Sequence, residues 1–191
     1  MHERSEQELI EQLRRGNLEA YSPLIEKYKG RIYGLMYRMV GHAQDAQDLA
    51  QEAFIKAYSR IDSFQDNTHF SSWLFRIASN HCLDELRRRK RAPQITSEEV
   101  RMIESKTPES IYLEKERITV LQDQIMALDE DYRMVVLLRY VEGLSYKEIG
   151  EVLSLPVTTV QMRLYRAHNR LRELCMNLIR KGGASYEMHN I

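Results

Sequence analysis

The chain has 191 residues and a formal net charge of zero, with 28 Lys/Arg set against 28 Asp/Glu. That length suits one medium domain or two small ones, and only 8 Gly and 4 Pro with 29% charged residues favour helices over a strand-rich fold. No apolar run approaches the roughly 18 residues of a membrane span, the polar stretch Met1 to Gly16 does not read as a signal peptide, and Cys82 and Cys175 fit no metal-ligand spacing, as free thiols of a reducing cytosol would.

The predicted elements begin with a Ser-x-x-Glu capping box at Ser5 and Glu8, followed by Leu9, Ile10 and Leu13 and a stop at Gly16. Helical spacing continues through Ala20, Tyr21, Leu24, Ile25 and Tyr28, and then through Ile32, Leu35, Met36 and Met39 up to Gly41. A helix is expected from about Asp45 to Arg60. Its Ala46, Leu49, Ala50, Ala53, Phe54 and Ala57 share a side that should be buried, while Asp45, Asp48, Gln51, Glu52 and Ile55 lie opposite. This second face is either a solvated, well-capped surface or a docking face for a basic partner. The acids at Asp45 and Asp48 complement the helix dipole in either case.

A polar loop, Asp62 to Thr68, carries the single aromatic Phe64 and leads into a helix over about Ser71–Arg89. Phe70, Trp73, Leu74, Ile77 and Ala78 form its apolar face. Arg76, Asn80, Leu83 and Arg87 recur on another face and run into five consecutive cations, Arg87 to Arg91. An Arg/Asn stripe beside aromatics suits melted nucleic acid, with cations on the backbone and an unstacked base held by stacking and edge hydrogen bonds. Five adjacent cations repel one another and gain little without an anionic partner. Phe70 and Trp73 match the spacing of the buried side and read as core.

Residues 92–117 are polar, acidic and marked by Pro93 and Pro108, without sustained periodicity, so a flexible linker is expected there. A second helical block starts near Ile118. Within it Gly143-Leu144 reads as a turn, Ser145 and Glu148 as another capping box, and Ile149, Val152 and Leu153 as a short apolar face. Leu155-Pro156 breaks the chain and restarts it as a helix with apolar residues at Val157, Val160, Leu164, Ala167, Leu171 and Leu174. A short helix, a tight turn and a longer basic helix place side chains in a DNA major groove. The plainer alternative is a helical hairpin with a solvated basic face. The tail 181–191, with Gly182-Gly183, is expected to fray. Charge is segregated along the chain: residues 133–191 carry a net +4 and residues 92–132 a net −6. Two basic patches are therefore parted by an acidic stretch, and such patches concentrate phosphate backbone whatever the total charge.

Three segments carry a family resemblance. Asp45 to Tyr58 (DAQDLAQEAFIKAY) resembles the most recognisable signature of bacterial RNA polymerase sigma factors, and Phe70 to Asn80 (FSSWLFRIASN) resembles the segment that follows it. Leu155-Pro156-Val157-Thr158-Thr159-Val160 resembles the turn into their −35 recognition helix. Order, size and bare linker are similar to the extracytoplasmic-function (group IV) sigma factors, which retain only regions 2 and 4, and the region 2 wording is similar to the sigma-W-like subgroup. The resemblance implies an all-α protein of two small helical domains. Region 2 would span residues 1–91, a flexible acidic linker 92–117, and region 4 residues 118–180.

It further implies that Asp45, Asp48, Leu49, Gln51, Glu52 and Ile55 dock on the clamp helices of the polymerase β′ subunit, and that region 4 touches the β flap. The loop 63–69, with Phe64 and Asn67, falls where a flipped −10 base is captured. Lys56, Arg76 and Asn80 lie beside it, and Arg87 and Arg88 beyond. Gln161, Met162, Arg163, Tyr165, Arg166 and Arg170 fall on the helix that enters the −35 major groove. Promoter DNA, core RNA polymerase and an anti-sigma factor, often membrane-embedded, are the implied partners, in the cytoplasm and with no cofactor. The family usually has Gly at the position of Thr158, often a basic residue at Gln161 and a small one at Met162. Glutamine reads adenine where Arg or Lys favours guanine, so the −35 preference does not carry over from relatives.

Two rivals lack support in the sequence. A regulator with a receiver domain needs an alternating strand–helix pattern in residues 1–91, and none is present. An enzyme would have to be built from His81, Cys82 and Asp84, but adjacent helical residues point in different directions and neither a triad nor a metal spacing emerges.

Overall fold

The computed structural model describes residues 5–65, 68–91 and 121–187, with side chains through 177. Every regular element among these residues is helical, in keeping with the all-α expectation. Helix α1 (Glu6–Arg14) starts at Ser5, whose hydroxyl accepts from the Glu8 amide at 3.3 Å while the Glu8 carboxylate accepts from the Ser5 amide at 3.0 Å. This is the reciprocal cap that the Ser-x-x-Glu spacing predicts. Helix α2 (Tyr21–Val40) stops at Gly41, where φ is +74° and the amide donates to the Tyr37 carbonyl at 2.8 Å. Only glycine adopts that left-handed geometry without cost. Helix α3 (Ala43–Ser59) begins two residues before the predicted start because the His42 imidazole caps it, accepting from the Asp45 amide. Helix α4 (Phe70–Arg91) extends one residue beyond the predicted span at its start and two at its end.

These four helices bury one apolar face each. Helix α2, which buries Leu24, Ile32, Leu35 and Met39, packs on α3, which buries the small side chains Ala46, Ala50, Ala53 and Ala57, and α4, which buries Leu74, Ile77 and Ala78, packs on both. Each large aliphatic side chain buried this way contributes about 1.5–3 kcal/mol.

The second block opens with residues 121–126 in helical conformation, followed by α5 (Glu130–Tyr140), α6 (Tyr146–Leu153) and α7 (Val157–Glu187). Ser145 and Glu148 form the second predicted capping box, at 3.2 and 2.7 Å. Helix α6 ends at Ser154, a non-glycine residue at φ +55°, and both its amide and that of Leu155 donate to the Gly150 carbonyl. The Pro156 carbonyl accepts from the Thr159 and Val160 amides and launches α7. Helix, turn and helix therefore follow the sequence expectation, with Ile149, Val152, Leu153, Val160 and Leu164 buried between them.

Helix α7 runs through Gly182-Gly183 to Glu187, since glycine costs about 1 kcal/mol in a helix interior and does not by itself stop a helix already nucleated; residues 188–191 of the expected tail lie outside the described residues. The two expected helical domains are in contact. α6 lies along α4, α5 touches both α2 and α4, and the buried apolar residues of both blocks form one continuous cluster. The expected linker, 92–117, lies outside the described residues.

The turn after α6 depends on Gly150 in a way the sequence does not disclose. A β-carbon there would sit 2.8 Å from the Leu155 carbonyl oxygen, which is backbone and has little freedom to retreat. Gly150→Ala is expected to destabilise the second block by about 1–3 kcal/mol through overpacking. Thermal denaturation followed by circular dichroism checks this, and an unchanged melting profile would contradict the close approach.

Candidate nucleic-acid interface

Along α4, Arg76, Asn80 and Arg87 are exposed on one stripe, as the sequence places them, whereas Leu83 turns inward and is buried. Lys56, in the last turn of α3, is brought beside this stripe, its Nζ 2.6 Å from Nδ1 of His81. His81 is the residue that sequence reasoning undervalued. It is buried, and its Nε2 lies 2.9 Å from Glu52 Oε2, so it links an expected polymerase-docking acid to an expected DNA-contacting lysine. Burial, and secondarily the Lys56 cation, hold its pKa below the ordinary 6.5 despite the pull of Glu52 and Glu85. No motif flags such a residue, because its partners lie 25 and 29 positions away.

The five-cation run is already neutralised in large part, which removes the argument that it must await an external anion. Arg88 makes a two-pronged contact with Glu85 at 2.8 Å on both prongs, and Arg89 reaches the same carboxylate at 3.1 Å. Together they hold the Glu85 carboxyl down at about 2, the Arg88 hydrogen bond contributing most. Arg89 also meets Asp45 at 2.6 Å, Arg87 meets Asp131 at 3.1 Å, Lys90 meets Glu130 at 2.6 Å, and Arg91 donates to the Arg87 carbonyl. The reason is spatial: α4 ends where acids from α3 and α5 converge on it.

Phe64 is not presented to solvent. It is 5% exposed and packs edge-on against Phe70 and Trp73, at centroid distances of 5.6 and 5.5 Å. The Arg14 guanidinium lies over its ring and donates to its carbonyl. In this arrangement Phe64 shapes the loop and offers no face for stacking on a base. Ser63, Gln65, Thr68, Trp73 and Arg76 line a cavity beside it. Asn67 lies outside the described residues.

On α3 the expected docking face is largely as the sequence arranges it. Asp48, Gln51 and Glu52 are exposed and Ile55 is 66% exposed, an apolar side chain standing among polar ones. Asp45 is half-buried under Arg89, and Leu49 is buried, so its part in any contact is to support the face from below. On α7, Gln161, Met162, Tyr165, Arg166 and Arg170 are exposed, with Tyr165 at 63%. Arg163 is half-buried and tied to Asp131 at 3.3 Å, and Arg170 pairs with Glu173 at 3.1 Å. The second helix of the turn thus offers two cations to a groove directly or through weak surface pairs, while Arg163 is held back by an acid of α5.

Two family models match the chain, Sigma-70 region 2 over residues 24–92 and Sigma-70, region 4 over residues 118–171. The chain is 39% identical over 180 residues to the ECF RNA polymerase sigma factor SigW of Bacillus subtilis, covering 88% of this chain and 96% of that protein. The chain belongs to the ECF RNA polymerase sigma factors. It is also 38% identical to the RNA polymerase sigma-H factor of Pseudomonas aeruginosa (92% and 96% covered) and 34% identical to the ECF RNA polymerase sigma-E factor of Escherichia coli K12 (93% and 97%). The near-equal likeness to the first two leaves the sigma-W-like subgroup undistinguished. Among solved structures, CnrH in complex with the cytosolic domain of CnrY superposes with a TM-score of 0.65 at 25% identity, over 88% of this chain and 96% of that one. The sigma factor RpoE of Bartonella quintana, solved with the anti-sigma factor NepR, shares the fold at the same TM-score and 21% identity, over 83% and 98%. Within this sigma fold, α3, α4 and most of α2 belong to the region 2 match, and α5, α6 and α7 as far as residue 171 to the region 4 match.

The buried His81 gives region 2 a pH dependence of defined sign. With its native pKa lowered, the unfolded chain binds more protons at mildly acidic pH. The stabilisation is therefore complete above about 6.5 and declines as pH falls toward the native value. Melting temperatures measured from about pH 7.5 to about pH 5 should fall for the native sequence and fall less steeply for His81→Gln. Equal slopes would contradict the assignment.

Proposed function

We propose that the chain directs core RNA polymerase to promoters through −10 and −35 elements and assists strand opening, in an envelope or stress response. What carries the reading is the pairing of matched regions 2 and 4, one with a polar docking face on α3 and the other with an exposed basic groove-sized helix, α7. Region 2 is taken as residues 1–91, the linker as 92–117 and region 4 as 118–180. In this reading Asp45, Asp48, Gln51, Glu52 and Ile55, supported by Leu49, bind the β′ clamp helices, and region 4 contacts the β flap. Lys56, Arg76, Asn80, Arg87 and Arg88 line the path of the −10 strand, and Asn67, three residues after Phe64 in sequence, is assigned to the same element. Gln161, Met162, Tyr165, Arg166 and Arg170 face the −35 groove, and Arg163 joins them once released from Asp131.

Capturing an unstacked base costs a few kcal/mol, offset by pocket contacts and phosphate neutralisation. The chain is a specificity subunit and not an enzyme: its relatives are sigma factors, and of the one tempting cluster His81 and Cys82 are buried while Asp84 is exposed. No described helix is long and apolar enough to cross a membrane, which accords with work on cytoplasmic polymerase. The complexes of CnrH with CnrY and of RpoE with NepR support an anti-sigma partner for this chain as well.

Run-off transcription with core polymerase on a randomised promoter library tests the reading. Discrete start sites that share two upstream elements are expected, and Asp48→Arg should abolish both transcription and co-purification with core. Transcripts independent of the added chain would refute it. Arg166→Ala is expected to weaken −35 binding about tenfold, in the range of one lost base or phosphate contact, and to lower the salt slope by about 1. Duplex binding titrated at several salt concentrations checks this.

A further inference from the structure

The ring of His81 stands between two groups that the functional reading assigns to different partners. Both come from α3: Glu52 from the docking face, and Lys56 from the last turn. The direction of the contacts follows from what each group can do. An ammonium has three donors and no acceptor. Nδ1 of His81, 2.6 Å from Lys56 Nζ, is therefore the accepting, unprotonated nitrogen. The neutral ring then carries its proton on Nε2, the nitrogen that lies 2.9 Å from Glu52 Oε2. This second contact is close but poorly aligned, since Nε2 is shielded from solvent and has no well-formed hydrogen bond. Glu85, one turn further along α4, also acts on the ring, with its carboxylate shared by Arg88 and Arg89.

The three side chains differ in freedom. That of His81 is 7% exposed, that of Glu52 is 58% exposed, and Lys56 is half-buried. The ring is the fixed member, and the lysine is tethered to it. An untethered lysine gives up much rotamer freedom when it grips a phosphate, and one held in place beforehand gives up less.

We propose that His81 is a positioning residue for capture of the −10 strand: its Nδ1 takes one donor of Lys56, fixes the ammonium beside Asn80 and Arg76, and leaves the other two donors for a strand phosphate. This rests on the reading that Lys56 lines the −10 path. His81 is buried, so it acts on the strand only through Lys56. A protonated ring offers no acceptor and repels the ammonium. The arrangement is therefore complete above about 6.5 and is lost as pH falls through the lower native value of His81.

The full chain without polymerase tests the geometry. Heteronuclear NMR of the imidazoles, with His81 assigned by its absence from His81→Asn, should show a ring protonated on Nε2 at neutral pH. Lys56→Ala should raise the His81 pKa and Glu52→Gln should lower it, because each variant removes a charge that acts on the ring. A ring protonated on Nδ1, or a pKa that Lys56→Ala leaves unmoved, would overturn the proposal.

Strand opening with core polymerase, followed by permanganate reactivity, tests the role. His81→Leu, which fills the site without an acceptor, should slow opening about fivefold, the scale of one hydrogen bond to a charged group. His81→Asn, whose Oδ1 takes the place of Nδ1 and does not titrate, should restore most of the rate. In a Lys56→Ala background His81→Leu should cost nothing further. Between about pH 7.5 and about pH 5.5, opening by the native chain should decline more than opening by His81→Asn. An equal loss from His81→Leu with and without Lys56 would refute the role, because the ring would then act by packing alone. Parallel pH profiles would refute it too. A native chain that directs no transcription would remove the sigma-factor reading and the −10 role with it, while the tautomer and its response to Lys56→Ala would still stand.

Discussion

The joint between the two halves of the molecule turns on one guanidinium. Arg133 is 6% exposed, and its side chain donates to the carbonyls of Ile125, Met126 and Leu128 on one side and of Met39 on the other. Removing a guanidinium from water costs several kcal/mol, and only a set of charge-assisted hydrogen bonds offsets it. The carbonyls it finds are of the kind that need donors. That of Met39 belongs to the last turn of α2, where the helix leaves its carbonyls unpaired and its dipole is negative. By fixing α5 against the end of α2, Arg133 also fixes where the preceding residues Glu130 and Asp131 fall, which is against the cationic end of α4. The apolar contact of α6 with α4 then has a defined register.

This placement accounts for the zero net charge of a chain that belongs to a family of nucleic-acid-binding subunits. The acids are matched in position as well as in number to the cations they face, through Asp45, Glu85, Glu130 and Asp131 around the end of α4. Individually such pairs contribute about 0–1 kcal/mol at a surface. Their importance is in occupancy: a cation already paired presents a smaller field to a distant polyanion than its sequence suggests, and it is released by displacement instead of being permanently exposed. Arg76 and Arg166, on the exposed faces of α4 and α7, make no such pair among the described residues and stand open to solvent.

What the sequence disclosed was local. Both capping boxes, the Gly41 stop, the turn before α7 and the alternation of buried and exposed residues on α3 and α7 depend on partners within one or two helical turns, so spacing alone reveals them. What it concealed depended on distant partners. Phe64 reads as an exposed loop aromatic, yet Arg14, Phe70 and Trp73 enclose it. The run from Arg87 to Arg91 reads as unpaired because, apart from Asp84 and Glu85 on the same helix, its acids Asp45, Glu130 and Asp131 lie 40 to 44 positions away on α3 and α5. His81 looks like an idle helical residue until α3 brings Glu52 and Lys56 to its two nitrogens. Gly150 is a nearer case that is equally hidden, since nothing in a helical pattern marks the residue whose missing side chain admits a carbonyl.

Helix α1 has a bearing on how pieces of this protein are best cut. The region 2 match begins at residue 24, downstream of α1, yet Arg14 of α1 grips the carbonyl and ring of Phe64, and Glu6 accepts from the hydroxyl of Tyr28 at 2.6 Å. A fragment trimmed to the homology boundary would discard the brace while keeping the loop it steadies. The smallest piece that retains Arg14 and Glu6 against region 2 therefore starts at the Ser5 cap, nineteen residues ahead of the start of the region 2 match.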